Sequence, residues 1–270
     1  IFILINNYDV TIFENNFKIY FFYLACSLFF FLGIIDDKFI LNANLKFILI
    51  LTIISSLLFF DNSFVIDEVR FIYGTFKLNM FSIPWTLICF LLFINAFNMF
   101  DGVNGQSSLY IIIIFLYFLF KGIFINLSIA ILITGFIFLF FNIRNKIFLG
   151  DNGTLTISLL LSMTIIYAYN NNFIIYADEI FILMMLPGLD MARLFIQRII
   201  TRKNPLSADK DHFHHLLIKK IGIQKIFIVS NLIILLPIIS MEIGISKFLI
   251  ITLFSILYLF AVIYLKKTKI

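Results

Sequence analysis

The sequence predicts an all-α, polytopic integral membrane protein, and three observations carry that prediction. Of 270 residues, 62% are hydrophobic and only 13% charged, with a mean hydropathy of +1.09. That is too little polar surface to cover a water-soluble globule. Apolar runs long enough to cross a bilayer, roughly 20 residues at about 1.5 Å each, recur along nearly the whole chain. Basic residues collect in alternate connections between those runs, as the positive-inside rule requires.

About nine spans fit the pattern, at residues 17–35, 45–61, 82–99, 104–120, 122–141, 154–170, 174–189, 226–241 and 247–265. Threading them back and forth puts 36–44, 100–103, 142–153, 190–225 and 266–270 on one face. All but five of the 20 basic residues lie there, the exceptions being Lys18, Arg70, Lys77, Lys121 and Lys247. That face is therefore expected to be cytoplasmic. Residues 1–270 are expected to form a single domain. The chain opens on Ile1 inside an apolar stretch and shows no recognisable signal peptide, so N-terminal spans are expected to precede it. Cys26 and Cys89 fall inside apolar runs, where a thiol behaves as a small hydrophobe and no disulfide framework is implied.

The acids follow the bases. Asp36, Asp37, Asp101, Asp151, Asp190, Asp209 and Asp211 all fall on the basic face, most of them where an apolar run ends. A single aspartate there can be a helix cap; the set is harder to explain by capping. Asp36 and Asp37 are adjacent, repel one another, and suggest a shared cation or proton. In "NAFNMFDGVNGQ", Asn95, Asn98, Asp101 and Asn104 recur every third residue and would share one face on helical turns. Gly102 and Gly105 in the same stretch allow close backbone approach. In "FLGDNGT", Asp151 lies between Gly150 and Gly153 ahead of a span, leaving room for a ligand beside carboxylate and free amides. "DKDHFHHLLIKK" holds every histidine of the chain, His212, His214 and His215.

Mg²⁺ takes one or two protein carboxylates and completes its octahedron with water and phosphate oxygens. Basic side chains neutralise phosphates, and histidines hydrogen-bond or protonate them. Together these parts suit phosphoryl-type transfer at the membrane edge, with one water-soluble and one lipid-borne substrate. Two other classes compete. Carboxylates in membrane proteins also mark the ion paths of transporters and channels, although these gather at one face and no inverted repeat is visible. Zinc at "HFHH" would need tetrahedral ligands, and neither cysteine is near. The C-terminal "LKKTKI" is expected to be a positive-inside anchor near anionic lipid headgroups. Arg193, close behind Asp190 in "DMAR", stands apart from the other exposed bases.

With the pair at 36–37, "NAFNMFDGVNG" at 95–105, "FLGDNGT" at 148–154 and "DMARLFIQRI…DKDHFHH" at 190–215, the sequence resembles the polyprenyl-phosphate N-acetylhexosamine-1-phosphate transferases of glycosyltransferase family 4. The ordered set extends over nearly the entire chain. Its last loop is similar to the branch that initiates O-antigen, teichoic acid or related glycans; the phospho-N-acetylmuramoyl-pentapeptide transferases of peptidoglycan synthesis are the alternative branch. The resemblance implies transfer of a sugar-1-phosphate from a UDP-N-acetylhexosamine, UDP-N-acetylglucosamine by default, to undecaprenyl phosphate in the bacterial inner (cytoplasmic) membrane. UMP is released and Mg²⁺, with Mn²⁺ as a substitute, is required. It implies membrane lipid as surroundings, no nucleic acid partner, a homodimer as a compatible assembly, and ten or eleven spans in a complete member.

Carried over by position, Asp151 and Asp101 are implied metal ligands, and Asp36, Asp37 and Asp101 catalytic residues. Asn98 is implied beside metal or nucleotide, Phe148 against uracil, and Asn104, Arg193, His212, His214 and His215 on the donor. Asn104 stands where many members carry a second aspartate. Two mechanisms are compatible: direct attack by the lipid phosphate oriented by Asp36, or a covalent phospho-sugar on an aspartate.

Overall fold

The computed structural model describes residues 16–202, 204 and 211–267, apart from the side chains of residues 16–19 and 223–225. Asp209 and Lys210 of the histidine stretch lie outside the described residues. The helices are α1 (Asn16–Phe39), α2 (Ala43–Phe60), α3 (Ser82–Phe100), α4 (Gln106–Phe120), α5 (Ile125–Asn142), α6 (Gly150–Asn170), α7 (Ala177–Leu183), α8 (Met185–Ile200), α9 (Phe213–Ile221), α10 (Ile223–Glu242) and α11 (Lys247–Lys267). Between α2 and α3 the chain forms an antiparallel hairpin, β1 (Glu68–Phe71) and β2 (Gly74–Lys77), pairing Glu68 with Lys77 and Phe71 with Gly74. The chain is mostly helical, as expected, and this small sheet is an addition the sequence did not suggest: "EVRF" and "GTFK" flank a turn, and four-residue strands carry no run long enough to register against the apolar background.

Among the described residues, six helical stretches are long and apolar enough to cross a membrane, by length and composition: Tyr20–Phe39, Ala43–Phe60, Asn79–Phe100, Ile125–Asn142, Gly150–Asn170 and Lys247–Lys267. Two more expected spans are shorter apolar helices, Gln106–Phe120 and Ile226–Glu242. The span expected at 174–189 is broken instead. α7 stops at Leu183 and α8 restarts at Met185, carrying Pro187 and Gly188 in its first turn. Proline in a first turn loses a hydrogen bond that would be unmade anyway. The carbonyl freed at the break is not left bare, because the buried Tyr110 hydroxyl of α4 donates to Leu183 O at 3.0 Å.

The core runs through the middle of the bundle, from Phe29 and Leu32 of α1 through Ile94 and Phe97 of α3 and Tyr110, Ile114 and Phe118 of α4 to Leu155 and Leu159 of α6. Outward faces are apolar too. On α5, Ile133, Phe136, Ile137 and Phe140 are exposed, and on α11 Leu249, Leu253, Ile256, Leu257 and Phe260 are. Spacing of three and four residues makes each set a stripe along its helix. Exposed apolar stripes outside a packed core are the surface expected against lipid tails.

Charged contacts divide between the two ends of the helices. At one end Arg70 bonds Tyr169 O and Asn172, Lys121 pairs with Glu242 at 2.9 Å, and Lys247 with Glu179 at 3.1 Å. At the other end lie the residues of the candidate site.

Candidate active site

Two helices meet here without side chains between them. α1 and α6 cross at Gly33, where an added Cβ would fall 2.1 Å from Asn152 Cα. Only glycine permits that approach. It brings the end of α1 against the start of α6, so that Asp37 accepts the backbone N–H of Asp151 at 2.7 Å and of Asn152 at 3.1 Å. Asp37 therefore caps α6 from another helix, taking the first-turn donors that no residue of α6 can satisfy. Gly150, at φ +64°, makes the turn into α6, and a Cβ there would stand 2.9 Å from Asp37 Oδ2.

Asp36 turns the other way, into the protein, and is 7% exposed. Its Oδ1 accepts Leu41 N–H at 2.8 Å and its Oδ2 lies 2.5 Å from Lys46 Nζ. The same ammonium donates to Asp151 Oδ1 at 2.7 Å. Lys46 thus bridges two carboxylates from two helices, which neither could neutralise for the other. In the orientation that satisfies both ends of its amide, Asn98 of α3 donates to Asp151 Oδ1 at 3.3 Å and accepts from Lys46 Nζ at 3.1 Å. Asp36, Asp37, Asn98 and Asp151 are four of the residues expected from the sequence, and α1, α2, α3 and α6 converge to assemble them.

Lys46 was missed as a site residue. Its signal was present: it is the sole charge in α2, one turn inside an apolar helix, where an unpartnered ammonium would be expensive.

The three-residue rhythm at 95–104 does not run along one helical face. α3 ends at Phe100, Asp101 caps it, and Gly102 and Gly105, the latter at φ +88°, turn the chain into α4. Asn95 donates to Leu91 O in its own helix at 2.8 Å. Asn104 bonds away from the carboxylates, its Nδ2 donating to Asn145 Oδ1 at 2.6 Å. Its neighbour Asn142, buried and unanticipated, accepts from Gly105 N at 2.6 Å and Ser108 Oγ at 3.1 Å and donates to Ile147 O at 2.8 Å. One side chain thereby ties the loop before α4 to the loop before α6. Phe148, on that second loop, is 69% exposed. Burial and the charge of Asp151 raise the Asp101 carboxyl above its ordinary value.

A second cluster is centred on Asp190 of α8. Its buried carboxylate receives Arg193 Nη2 at 2.7 Å, His212 Nδ1 at 3.1 Å, Phe213 N–H at 3.1 Å and Tyr258 OH at 2.7 Å. Burial alone would favour the neutral acid, but the His212 hydrogen bond, the Arg193 charge and the Tyr258 hydroxyl outweigh it and hold the carboxyl well below the usual range. Arg193 Nη2 also donates to Asp211 O at 2.7 Å, pinning the strand of chain ahead of α9. The rings of His212 and His214 stack at 5.3 Å, and those of His214 and His215 approach to 4.3 Å.

The second cluster packs on the loop after α3, at Gly102. A Cβ there would lie 1.9 Å from His214 Nε2, so the histidine packs on the bare backbone next to Asp101. His214 is 2% exposed, and burial, with His215 and His212 beside it, pushes its pKa down to about 3. Among the described residues, Arg193 Nη1 and His214 Nε2 are buried with no hydrogen-bond partner, which in a folded protein asks for a ligand or water to complete them.

Among the described residues no three His, Cys, Asp or Glu side chains stand where they could jointly hold a metal. The histidine rings lie against one another and both cysteines lie within helices, so among the described residues no tetrahedral zinc set is formed. Mg²⁺ asks less of the protein, one or two carboxylates. Asp151, which takes Lys46 and Asn98 on Oδ1, together with Asp101 in its field, fits that demand.

The fold and site define a polytopic helical membrane protein with an acid- and histidine-lined site at one end of its bundle. Residues 19–169 match the family model described as glycosyl transferase family 4, and the chain belongs to that family. It is 29% identical over 193 residues to the "Probable undecaprenyl-phosphate N-acetylglucosaminyl 1-phosphate transferase" of Bacillus subtilis, covering 68% of this chain and 54% of the relative. It is 29% identical over 210 residues to the undecaprenyl-phosphate alpha-N-acetylglucosaminyl 1-phosphate transferase of Thermotoga maritima, covering 77% and 65%. To the Escherichia coli K12 protein of that same name it is 26% identical over 219 residues, covering 73% and 58%. The aligned part thus spans between about half and two thirds of these relatives' lengths.

Proposed function

We propose that this chain forms the catalytic part of a transferase that moves N-acetylhexosamine-1-phosphate from a UDP-sugar to undecaprenyl phosphate in the bacterial inner membrane, with its site on the cytoplasmic face. UMP is the second product, and the lipid-linked sugar starts a cell-envelope glycan such as O-antigen or teichoic acid. The observation that carries this reading is the loop at 101–102: Asp101 lies in the field of Asp151, which belongs to the Asp36–Lys46–Asp151 set, and His214 packs on Gly102 next to it. Cations and acids alternate there, as a diphosphate and a metal together require. The names of the relatives support the same reaction.

The acceptor is a phosphate monoester and already a competent nucleophile, so orientation matters more than deprotonation. Its oxygen attacks the donor's β-phosphorus; one P–O bond forms, the bond to the α-phosphate breaks, and UMP leaves. Asp36, with both oxygens engaged by Leu41 N–H and Lys46, holds the ammonium in place for phosphate oxygens. Arg193 and the histidine run face the donor, and Asn98, Asn104 and Phe148 border its nucleotide. Asp151 and Asp101 would hold Mg²⁺, which supplies charge stabilisation to the departing phosphate when bound.

The test is release of UMP by the chain in nanodiscs containing undecaprenyl phosphate, across a panel of UDP-N-acetylhexosamines with and without Mg²⁺. Release dependent on acceptor and metal is expected. A folded preparation that releases none with any donor removes the reading.

A further inference from the structure

We propose that the β1–β2 hairpin is an interfacial anchor: it lies in the headgroup layer of the bilayer, at the end of the bundle away from the candidate site, with Phe71 and Phe76 turned to the acyl chains and Thr75 and Lys77 to water and headgroups. Its partner is a phospholipid surface, and the proposal is independent of the transferase reading.

The hairpin has two unlike faces. Residues directly opposite in an antiparallel pair share a face, and successive residues alternate. Pairing of Val69 with Phe76 and of Phe71 with Gly74 therefore gathers Val69, Phe71 and Phe76 on one side, while Glu68, Arg70, Thr75 and Lys77 share the other. Phe71 and Phe76 meet at 6.1 Å between ring centroids, and Phe76 is 64% exposed. β1 is held to the bundle: Arg70 N–H donates to the Tyr169 hydroxyl at 2.5 Å, and Ile72 N–H to Asp178 Oδ2 at 3.1 Å. β2 is exposed along its whole length. An exposed aromatic pair backed by a polar face is the pattern of an element lying in a membrane interface.

Its place in the chain points to the same occupant. The hairpin joins Ala43–Phe60 to Asn79–Phe100, both long and apolar enough to cross a membrane, so it stands where the bilayer ends. At its turn Tyr73 meets Phe248 at 6.3 Å, in the first turn of α11 and one residue before the exposed stripe that begins at Leu249. The lipid-facing surface of α11 thus continues onto the hairpin. Just past β2, Met80 and Phe81 are exposed as well, and the chain's one tryptophan, Trp85, follows on α3. Tyr and Trp, with an apolar body and a polar tip, collect at that level of a bilayer. Depth is limited by the backbone. The sheet has two strands among the described residues, so the outer N–H and C=O groups of β2 face no further strand and need water. Hydrocarbon cannot satisfy an open sheet edge, which keeps the hairpin in the wet headgroup layer and lets only its aromatic rings reach the acyl chains. Lys77 extends its ammonium from there to lipid phosphates.

Tryptophan fluorescence in vesicles of phosphatidylcholine and phosphatidylglycerol, with iodide on both sides of the membrane, separates this occupant from others. In a Trp85→Phe background a single reporter is placed on either face of β2, by Phe76→Trp or Thr75→Trp. Emission from the Phe76→Trp chain is expected to be shifted to the blue, quenched more by lipids brominated near the top of the acyl chain than by lipids brominated at its end, and insensitive to iodide. The Thr75→Trp chain, altered one residue away, is expected to be quenched by iodide and little affected by either bromolipid. Iodide quenching at both positions overturns the proposal, because the hairpin then stands in water. Protection of the Phe76→Trp reporter from iodide and bromine alike overturns it too, because a second copy or another protein then covers that face, and stronger quenching by the deeper bromine overturns it by placing the hairpin inside hydrocarbon. Phe71→Trp, on the same face, repeats the measurement should Phe76→Trp not fold, with helical circular dichroism as the check.

Discussion

Lys46 shows how one side chain can decide the charge state of a site. Removing it leaves Asp36 buried without its cation and Asp151 with the Asn98 amide but no cation. A buried ion pair broken from one side loses about 3 kcal/mol or more, so Lys46→Met should lower the melting temperature and abolish UMP release together. Lys46→Arg should restore most of the stability and little of the turnover; full activity in the Met variant would place the lysine outside the chemistry. His214 makes a second residue-scale prediction. Its pKa is pushed down to about 3 from 6.5 by burial, so the folded state does not take the proton that the unfolded state takes below pH 6.5. Stability is therefore complete above about pH 6.5 and declines on acidification, by about 1.4 kcal/mol per pH unit at most. Asp190, also depressed, adds a further loss only in the more acidic range below the ordinary carboxylate value. Thermal melts between pH 7.5 and 5 should show the decline, and His214→Gln should flatten it. Asp36, Asp37, Asn98 and Asp151 were legible in the sequence because polar groups at a membrane edge stand out against apolar runs. Lys46 was read merely as part of the charge distribution and Asp190 only as the start of the "DMAR" motif beside Arg193, since a partner 105 or 22 residues away is set by helix packing, which no local pattern reports.

At the scale of elements, the contact of α1 with α6 is the one on which the site's geometry depends. Gly33→Ala would drive a methyl into the Asn152 backbone. Backbone cannot move aside like a flexible side chain, so the helices must separate, at a cost of about 1–3 kcal/mol. Asp37 would then lose its hold on the start of α6. Turnover should fall steeply in Gly33→Ala, while Gly74→Ala, in open space on the hairpin, should be silent in the same assay. The long spans were read from the sequence to within a few residues, because their length and apolarity are local properties. The break between α7 and α8 was not: its stretch is apolar throughout, and what stabilises it, Tyr110 against Leu183 O, comes from a different helix. The hairpin escaped for the opposite reason, its strands being too short to show a period.

For the whole molecule, the segregation of charged contacts to two ends supports the threading inferred from the basic loops. In a background lacking Cys26 and Cys89, Asn145→Cys is expected to react with an impermeant maleimide only from the cytoplasmic side, and Tyr73→Cys only from the other. Labelling of both from one side would overturn the topology. The crossing at Gly33 also has a consequence for biogenesis. Asp37 and Asp151 are joined across 114 residues of chain, so insertion of the first five helices leaves the acidic half of the site without its partner. The histidine half waits longer still, for Tyr258 on α11 to arrive. A chain stalled or truncated at any earlier point is a membrane-embedded protein with no assembled centre, and two separately synthesised pieces divided in the loop before α6 should regain one only by docking with each other.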